Sequence, residues 1–319
     1  MTQDALIGHT GFVGGILARQ HGFAAYFNST NISDIAGLSF DTVVCAAAPG
    51  SMLTANRDPD SDRATIDALI TQLDGVQTRR FVLISSIAVL ADFSAGDTEE
   101  TQSFRQDLAY GRHRRALEAF CEERFDDCLV VRLPALFGPR LRKNFVFDLM
   151  NPVPTMLPTA KLRTLLEELQ ADLRAELAPL YAPDPATGML KLNRAALDAS
   201  PQRPALDEAV CAAGKSATQF HNPDNTYQYY DMAQLWSDIG IATQARLRHL
   251  HLAVAPLRAA DIHARLTGVP MPETGAKLHR EDMRTRHATL WGREGPYLED
   301  ADTVLDKLGA FVADQKAAT

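Results

Sequence analysis

Two rhythms of apolar residues alternate along the first half of the chain. Short apolar runs bounded by polar or small residues occur at 4–7, at "FAAYF" (23–27), at "FDTVVCAAAPG" (40–50), at "RRFVLISSIAVL" (79–90) and at "CLVVRLPALFG" (128–138). Runs of that length, rich in β-branched residues, predict buried strands. Between them lie segments with helical spacing: 12–20, then 59–75 with Ile66, Leu69, Ile70 and Leu73 on one face, then 110–123. Strand and helix in strict alternation predict a parallel sheet covered on both faces, a Rossmann-type doubly wound α/β fold. The connection from 27 to 40 is short and rich in Asn and Ser, so the pattern predicts that one crossover helix is missing there.

The pattern changes after about residue 150. "KLRTLLEELQADLRAEL" (161–177) predicts one amphipathic helix, and "YAPDPATGMLKLN" a turn with a hairpin. "HNPDNTYQYYDMAQLWSDIGIA" resumes with a turn, a short aromatic strand and a helix. "RHLHLAVAP" (248–256) predicts the last strand of the sheet, and a helix closes the chain from about 300. The expected organisation is a dinucleotide-binding domain of 1–150 plus about 222–256. A smaller, mostly helical substrate lobe takes about 151–221 and 257–319.

Charge and cysteine content narrow the function. The 319 residues carry a net charge of −8, which argues against a nucleic-acid partner. No apolar run is long enough to span a membrane, and Met1-Thr2-Gln3-Asp4 has no basic leader character, so a cytoplasmic protein is expected. The four cysteines form no CxxC pair, which leaves reduced thiols and no metal site as the expectation.

Candidate chemistry begins at "ALIGHTGFVGGILARQ". Gly8, Gly11 and Gly14 stand three residues apart between a strand and a helix. That spacing suits a tight turn, a close approach to a pyrophosphate and close helix–strand packing, with Thr10, Phe12 and Val13 on the same cradle. Without a ligand it would be a glycine-rich turn only. Where an acid would favour NAD, at the end of the second strand, stand Asn28 and Ser29. NADP or NAD is expected, with NADP slightly favoured, although no arginine stands there to clasp a 2′-phosphate.

A second set lies further on. Ser85 and Ser86 end a strand, Tyr110 opens a helix, and Arg114 follows one turn later. Residues four apart on a helix share a face, so the arginine charge is expected to lower the tyrosine pKa. Such a phenol can exchange a proton with a substrate oxygen that a serine hydroxyl also holds.

At these residues the chain resembles the extended short-chain dehydrogenase/reductase family, the NAD-dependent epimerase/dehydratase group. The matches are GxxGxxG at 8–14, "CAAA" at 45–48, "SSIAV" at 85–89, "YGxxR" at 110–114 and "VVRLPALFGP" at 130–139. The family pattern has lysine where this chain has Arg114. The resemblance implies a pyrophosphate on Gly8, Gly11 and Gly14, and Ala46, Ala47 and Ala48 on the adenine side. It implies Ser86 on the substrate oxygen, Tyr110 as acid/base with Arg114 in support, and Pro134 and Leu136 near the nicotinamide. Asn144 would meet substrate phosphates. A homodimer through the 110–123 helix is implied as well.

The implied substrate is a nucleotide-activated sugar. Ser86 is followed by Ile87-Ala88 and not by Asp-Glu, which argues against 4,6-dehydration. The later motifs "TYQYYDMAQLW" and "HREDMRTRHATLWG" resemble a subgroup that reduces 4-keto-6-deoxy sugars, the dTDP-4-dehydro-6-deoxyglucose reductase-like proteins. Asn56, Gln228, Tyr230, Arg284, Arg286 and His287 are then candidate substrate residues. The alternatives are an epimerase and, in another class, a non-catalytic NADPH-binding sensor or assembly protein.

Overall fold

The structure, a computed structural model, describes residues 3–317. Six strands form one parallel sheet: β1 (Asp4–Ile7), β2 (Ala25–Phe27), β3 (Ser39–Cys45), β4 (Gln77–Ser86), β5 (Cys128–Leu133) and β6 (His249–His251). Their order is β6-β5-β4-β3-β1-β2. The doubly wound dinucleotide order is 3-2-1-4-5-6. This sheet lacks strand 3 of that order at one edge and carries one further strand, β6, at the other. The chain between Phe27 and Ser39 makes one 3₁₀ turn, Ile32–Ile35, and passes straight to the other side of β1. The short, polar connection thus omits a helix and a strand together.

Right-handed crossovers then dictate the layers. From β1 the chain moves one way through α1 (Phe12–Gln20) to β2; from β3 it moves the other way through α2 (Met52–Arg57), α3 (Pro59–Asp74) and α4 (Ala109–Arg124). Alternate strand residues separate by face. Ala5, Ile7, Val43, Cys45, Phe81, Leu83, Cys128 and Val130 pack with Ile66, Leu69 and Leu73 of α3 and with Leu117 and Cys121 of α4. Their neighbours Leu6, Val44, Val82, Leu129 and Val131 are equally buried on the opposite face. Burial on both faces is why these strands read as continuous apolar runs. The direction reverses between β1 and β3. In open α/β sheets, ligands bind beyond the carboxyl ends of the strands at such a point.

The described chain forms two compact units: 3–141, 226–257 and 280–317 in the first, 142–225 and 258–279 in the second. The stretch from 280 therefore belongs with the sheet unit, not with the expected substrate lobe. Glu281 and Thr285 bond to residues of the sheet unit, and Phe311 of the closing helix Ala301–Ala317 packs on Phe137. The second unit has a leucine-rich core and a three-stranded antiparallel sheet of Met156–Leu157, Met189–Leu192 and Tyr181–Asp184, the expected hairpin included. The helix expected over 161–177 is broken. It runs Thr159–Glu168 and Ala171–Leu177, with Leu169 and Gln170 extended between the two pieces. No Gly or Pro marks the break; the Arg174 guanidinium bonds the Leu169 carbonyl at 2.9 Å and satisfies it there.

Candidate cofactor and catalytic site

The glycine turn divides into two kinds of glycine. Gly8 has φ +90°, and a Cβ on it would stand 2.5 Å from the Ala46 carbonyl oxygen. A Cβ on Gly14 would stand 2.1 Å from the Gly8 carbonyl oxygen. The fold itself requires both. Gly11 differs: a Cβ there meets only the Gly8 oxygen, at an ordinary 3.4 Å. Gly11 is exposed, as is Thr10, while Phe12 and Val13 are half-buried. Packing gives no reason for the missing side chain at Gly11, and a ligand lying against this backbone would.

The rest of the turn fits a dinucleotide. Gly11 is the N-cap of α1, no side chain caps the first turn, and no acid stands in it. The first amides of a helix lack intrahelical partners and carry its positive end, so they suit a phosphate. Ala46 donates to Ile7 at 2.8 Å, which holds the small-residue segment Ala46–Ala48 alongside, half-buried. Asn28 bonds within its own turn: its Oδ1 accepts from the Thr30 amide and hydroxyl at 2.8 and 2.7 Å. Ser29 is exposed.

Ser86 ends β4, one strand beyond the switch, and its Oγ accepts the Ala88 amide at 3.2 Å. Tyr110 lies in the first turn of α4, 8% exposed, with the Ser86 hydroxyl near enough to its phenol to favour the charged form. α4 has no side-chain cap of its own. Asn56 of α2 supplies one, its Oδ1 accepting the Tyr110 amide at 2.9 Å. Asn56, expected on the substrate, thus spends its carbonyl in fixing the helix that carries the tyrosine.

Arg114 lies on the same face as Tyr110, with the centre of its guanidinium 4.0 Å from the ring centroid. Its Nη1 pairs with buried Asp62 of α3, and its Nη2 donates to the Pro49 carbonyl at 2.7 Å. His113 Nδ1 lies 2.8 Å from the same Asp62 carboxylate. The expected lowering of the tyrosine pKa is overturned. Burial raises it, outweighing Arg114 and the Ser86 hydroxyl, and the Asp62 charge adds to the rise. The phenol is held protonated.

Several expected site residues are occupied elsewhere. Ser85 donates to Glu118 at 2.5 Å and faces the α4 side, not a ligand. Gln228 is fully buried, donating to the Val254 and Met283 carbonyls and accepting the Met283 amide, all at 2.6–2.7 Å. Tyr230 is buried beside Leu136 in a short strand pair, and its hydroxyl donates to Asp238 at 2.5 Å. Both are structural, because a buried polar group must find its partner within the protein. Arg284 and Arg286 are exposed and pair with Asp282 and Glu100. His287 is half-buried, its amide on the Thr285 hydroxyl. Pro134 is buried and Leu136 half-buried, just past the end of β5. Asn144 lies in the second unit at φ +113°, a region that glycine favours, with its Oδ1 on the Phe147 amide at 3.1 Å.

A buried ionic row went unread in the sequence. Ser85, Arg132 and His251 stand in register across β4, β5 and β6. Arg132, 1% exposed, makes a two-pronged pair with Glu118 at 3.0 and 2.8 Å and donates to His251 Nε2 at 3.1 Å. His251 Nδ1 faces the Arg284 carbonyl at 2.8 Å, so the imidazole is neutral with its proton on Nδ1. Burial, chiefly, pushes its pKa down to about 4. The visible signals were a lone arginine inside "CLVVRLP" and alternate histidines in "RHLHL".

Fold and site together define a Rossmann-type α/β protein with a serine–tyrosine pair beyond the strand ends. The chain has the fold of the extended short-chain dehydrogenase/reductases. It is similar to a UDP-galactose 4-epimerase at 16% identity and TM-score 0.59, covering 98% of this chain and 99% of that one. It is similar to dTDP-4-dehydrorhamnose reductase from Bacillus anthracis, solved with NADP, at 12% identity and TM-score 0.61, with 98% and 99% covered. UDP-N-acetylglucosamine 4-epimerase from Methanobrevibacter ruminantium gives 10% identity and TM-score 0.63, with 100% and 99% covered. At these identities the likeness is one of fold. No protein-family model and no curated protein matches the chain.

Proposed function

We propose that the protein is an NAD(P)-dependent oxidoreductase acting on a nucleotide-activated sugar, and that its reaction is reduction of a 4-keto-6-deoxy sugar. The observation that carries this reading is the placing of the Ser86 hydroxyl and the Tyr110 phenol within reach of each other at the end of β4, two strands across from the strand that leads into the glycine turn. The bound nicotinamide would supply the hydride. Gly8, Gly11 and Gly14 and the first amides of α1 would hold the pyrophosphate, with Ala46–Ala48 beside the adenine. NADP fits better than NAD: both lone pairs of Asn28 Oδ1 are taken by Thr30, so its amide offers only donors, and a 2′-phosphate offers only acceptors.

The state of the phenol supports the reductive reading. Burial keeps Tyr110 protonated, which suits donation of a proton to a carbonyl oxygen as that oxygen gains charge. Ser86 would bond the same oxygen, and Arg114 would stabilise the phenolate that remains. An epimerase uses the same pair, but must also deprotonate a hydroxyl, for which a raised tyrosine pKa is the poorer starting point. Asn144, held in a strained conformation, remains the candidate for substrate phosphates in the second unit.

Tyr110→Phe tests the reading. An enzyme loses about 10²- to 10⁴-fold in turnover of a keto-sugar nucleotide and keeps its affinity for the dinucleotide. A sensor loses neither. Turnover unchanged in the variant contradicts the proposal.

A further inference from the structure

The residue that replaces the family lysine does not stand alone. Arg114 is 2% exposed and bridges two parts of the sheet unit at once, Asp62 on α3 and the Pro49 carbonyl in the loop after β3. A lysine has one nitrogen and could not hold both positions from one side of the ring, whereas a planar guanidinium does. Asp62 is itself 8% exposed, and its carboxylate also meets His113. A buried carboxylate is costly without partners, so this one has been set against two. The guanidinium carbon lies over the Tyr110 ring, 4.0 Å from its centroid, while Nη1 and Nη2 are tied to Asp62 and Pro49.

We propose that Asp62 is a positioning residue for Tyr110, acting through Arg114, and that the arginine and the aspartate form one functional unit in place of a lysine. Asp62 does two things. It fixes the guanidinium against the ring, and it offsets part of the arginine charge, so that the phenol feels a weaker cation than Arg114 alone would provide. The groups facing the phenol are Arg114 on its own helix, Asp62 on α3 and the Ser86 hydroxyl beyond β4. His113 meets Asp62 from the far side, Arg105 stands over Phe93, and Phe93 packs on the Tyr110 cluster. The proposal rests on the assignment of Tyr110 as the proton donor, but its test does not need turnover.

The test is the ionisation of Tyr110 itself. The phenolate absorbance of the full chain is titrated with and without Tyr110→Phe, and the difference isolates that one of the seven tyrosines. The same difference is taken in an Asp62→Asn background. The expected result is that Tyr110 ionises at lower pH without the Asp62 charge, by at least half a pH unit. An unchanged midpoint overturns the proposal, because a merely structural Asp62 would leave it in place. Asp62→Asn also leaves a buried arginine without its ion, which can unfold the chain. Arg114→Met and Arg114→Met/Asp62→Asn form a second pair with no stranded cation. Between them only the direct charge of Asp62 acts, so the midpoint should fall by less than half a pH unit; a fall of half a unit or more shows that Asp62 acts without Arg114 and overturns the proposal. Dinucleotide binding by the same proteins separates the two readings. No binding sinks the oxidoreductase assignment, whatever the tyrosine does; binding with an unmoved midpoint sinks only the role of Asp62.

Discussion

At the scale of single residues, the glycine turn separates folding from binding. A Cβ at Gly14 would drive into the Gly8 carbonyl at 2.1 Å, and no flexible side chain is there to yield. Gly14→Ala is expected to destabilise the chain by roughly 3 kcal/mol or more, as overpacked sites do. Gly11→Ala meets nothing closer than 3.4 Å. It should leave the thermal midpoint within a few degrees of the parent and weaken dinucleotide binding at least tenfold. Thermal melts and a binding titration on both variants check the pair. Spacing assigned the three glycines separate parts: a tight turn, a close approach to a pyrophosphate and close helix–strand packing. What it did not show is the backbone of Ala46 and of Gly8 itself that leaves no room for a side chain at the first and third. The same holds for Gln228 and Tyr230. Their motif looked like cleft chemistry, yet their partners Met283 and Asp238 lie 55 and 8 residues away in the chain, and both side chains are consumed in the interior.

At the scale of elements, the alternation of apolar runs and amphipathic segments carried the sheet, because parallel strands are buried on both faces and leave an unmistakable trace. Local breaks left no such trace. The helix broken at Leu169 has no Gly or Pro, and the carbonyl freed there is met by the Arg174 side chain five residues on. The ionic row across β4, β5 and β6 was invisible for the same reason: Glu118 of α4 and Arg132 of β5 meet only in the fold. This row sits directly beneath Ser86, through Ser85 and Glu118. Arg132→Met removes the two-pronged partner of the buried Glu118 carboxylate, which keeps only Ser85 and the half-buried Arg115. Losing one partner of a buried pair costs about 3–5 kcal/mol. Denaturant unfolding of Arg132→Met should show a loss of that size. A loss under about 1 kcal/mol would mean that the pair contributes little to holding β4, β5 and α4 together.

At the scale of the whole molecule, the same row sets an acid limit. His251 ionises at about 4 in the folded chain against the ordinary 6.5. The unfolded chain therefore takes up a proton that the folded chain refuses between those values, so stability is full above about 6.5 and falls as the pH drops toward 4. Glu122, paired with Arg115 and His249, is lowered to about 2 from 4.5, and its contribution is lost over that lower window. Thermal midpoints taken from pH 7 to pH 3 should decline without a plateau, and in His251→Asn the upper part of the decline should flatten. A flat profile from 6.5 to 4 in the parent protein would contradict a buried neutral His251.

The central claim concerns the glycine turn, and direct titration of the purified protein with NADPH and with NADH tests it most plainly. Binding in the micromolar range is predicted, and the proposed pairing of the Asn28 amide with a 2′-phosphate predicts that NADPH binds more tightly than NADH. Saturable binding lost in Gly11→Ala establishes the cradle. A folded protein that binds neither nucleotide would show the three glycines to be a turn and nothing more, and the oxidoreductase reading would fall with them.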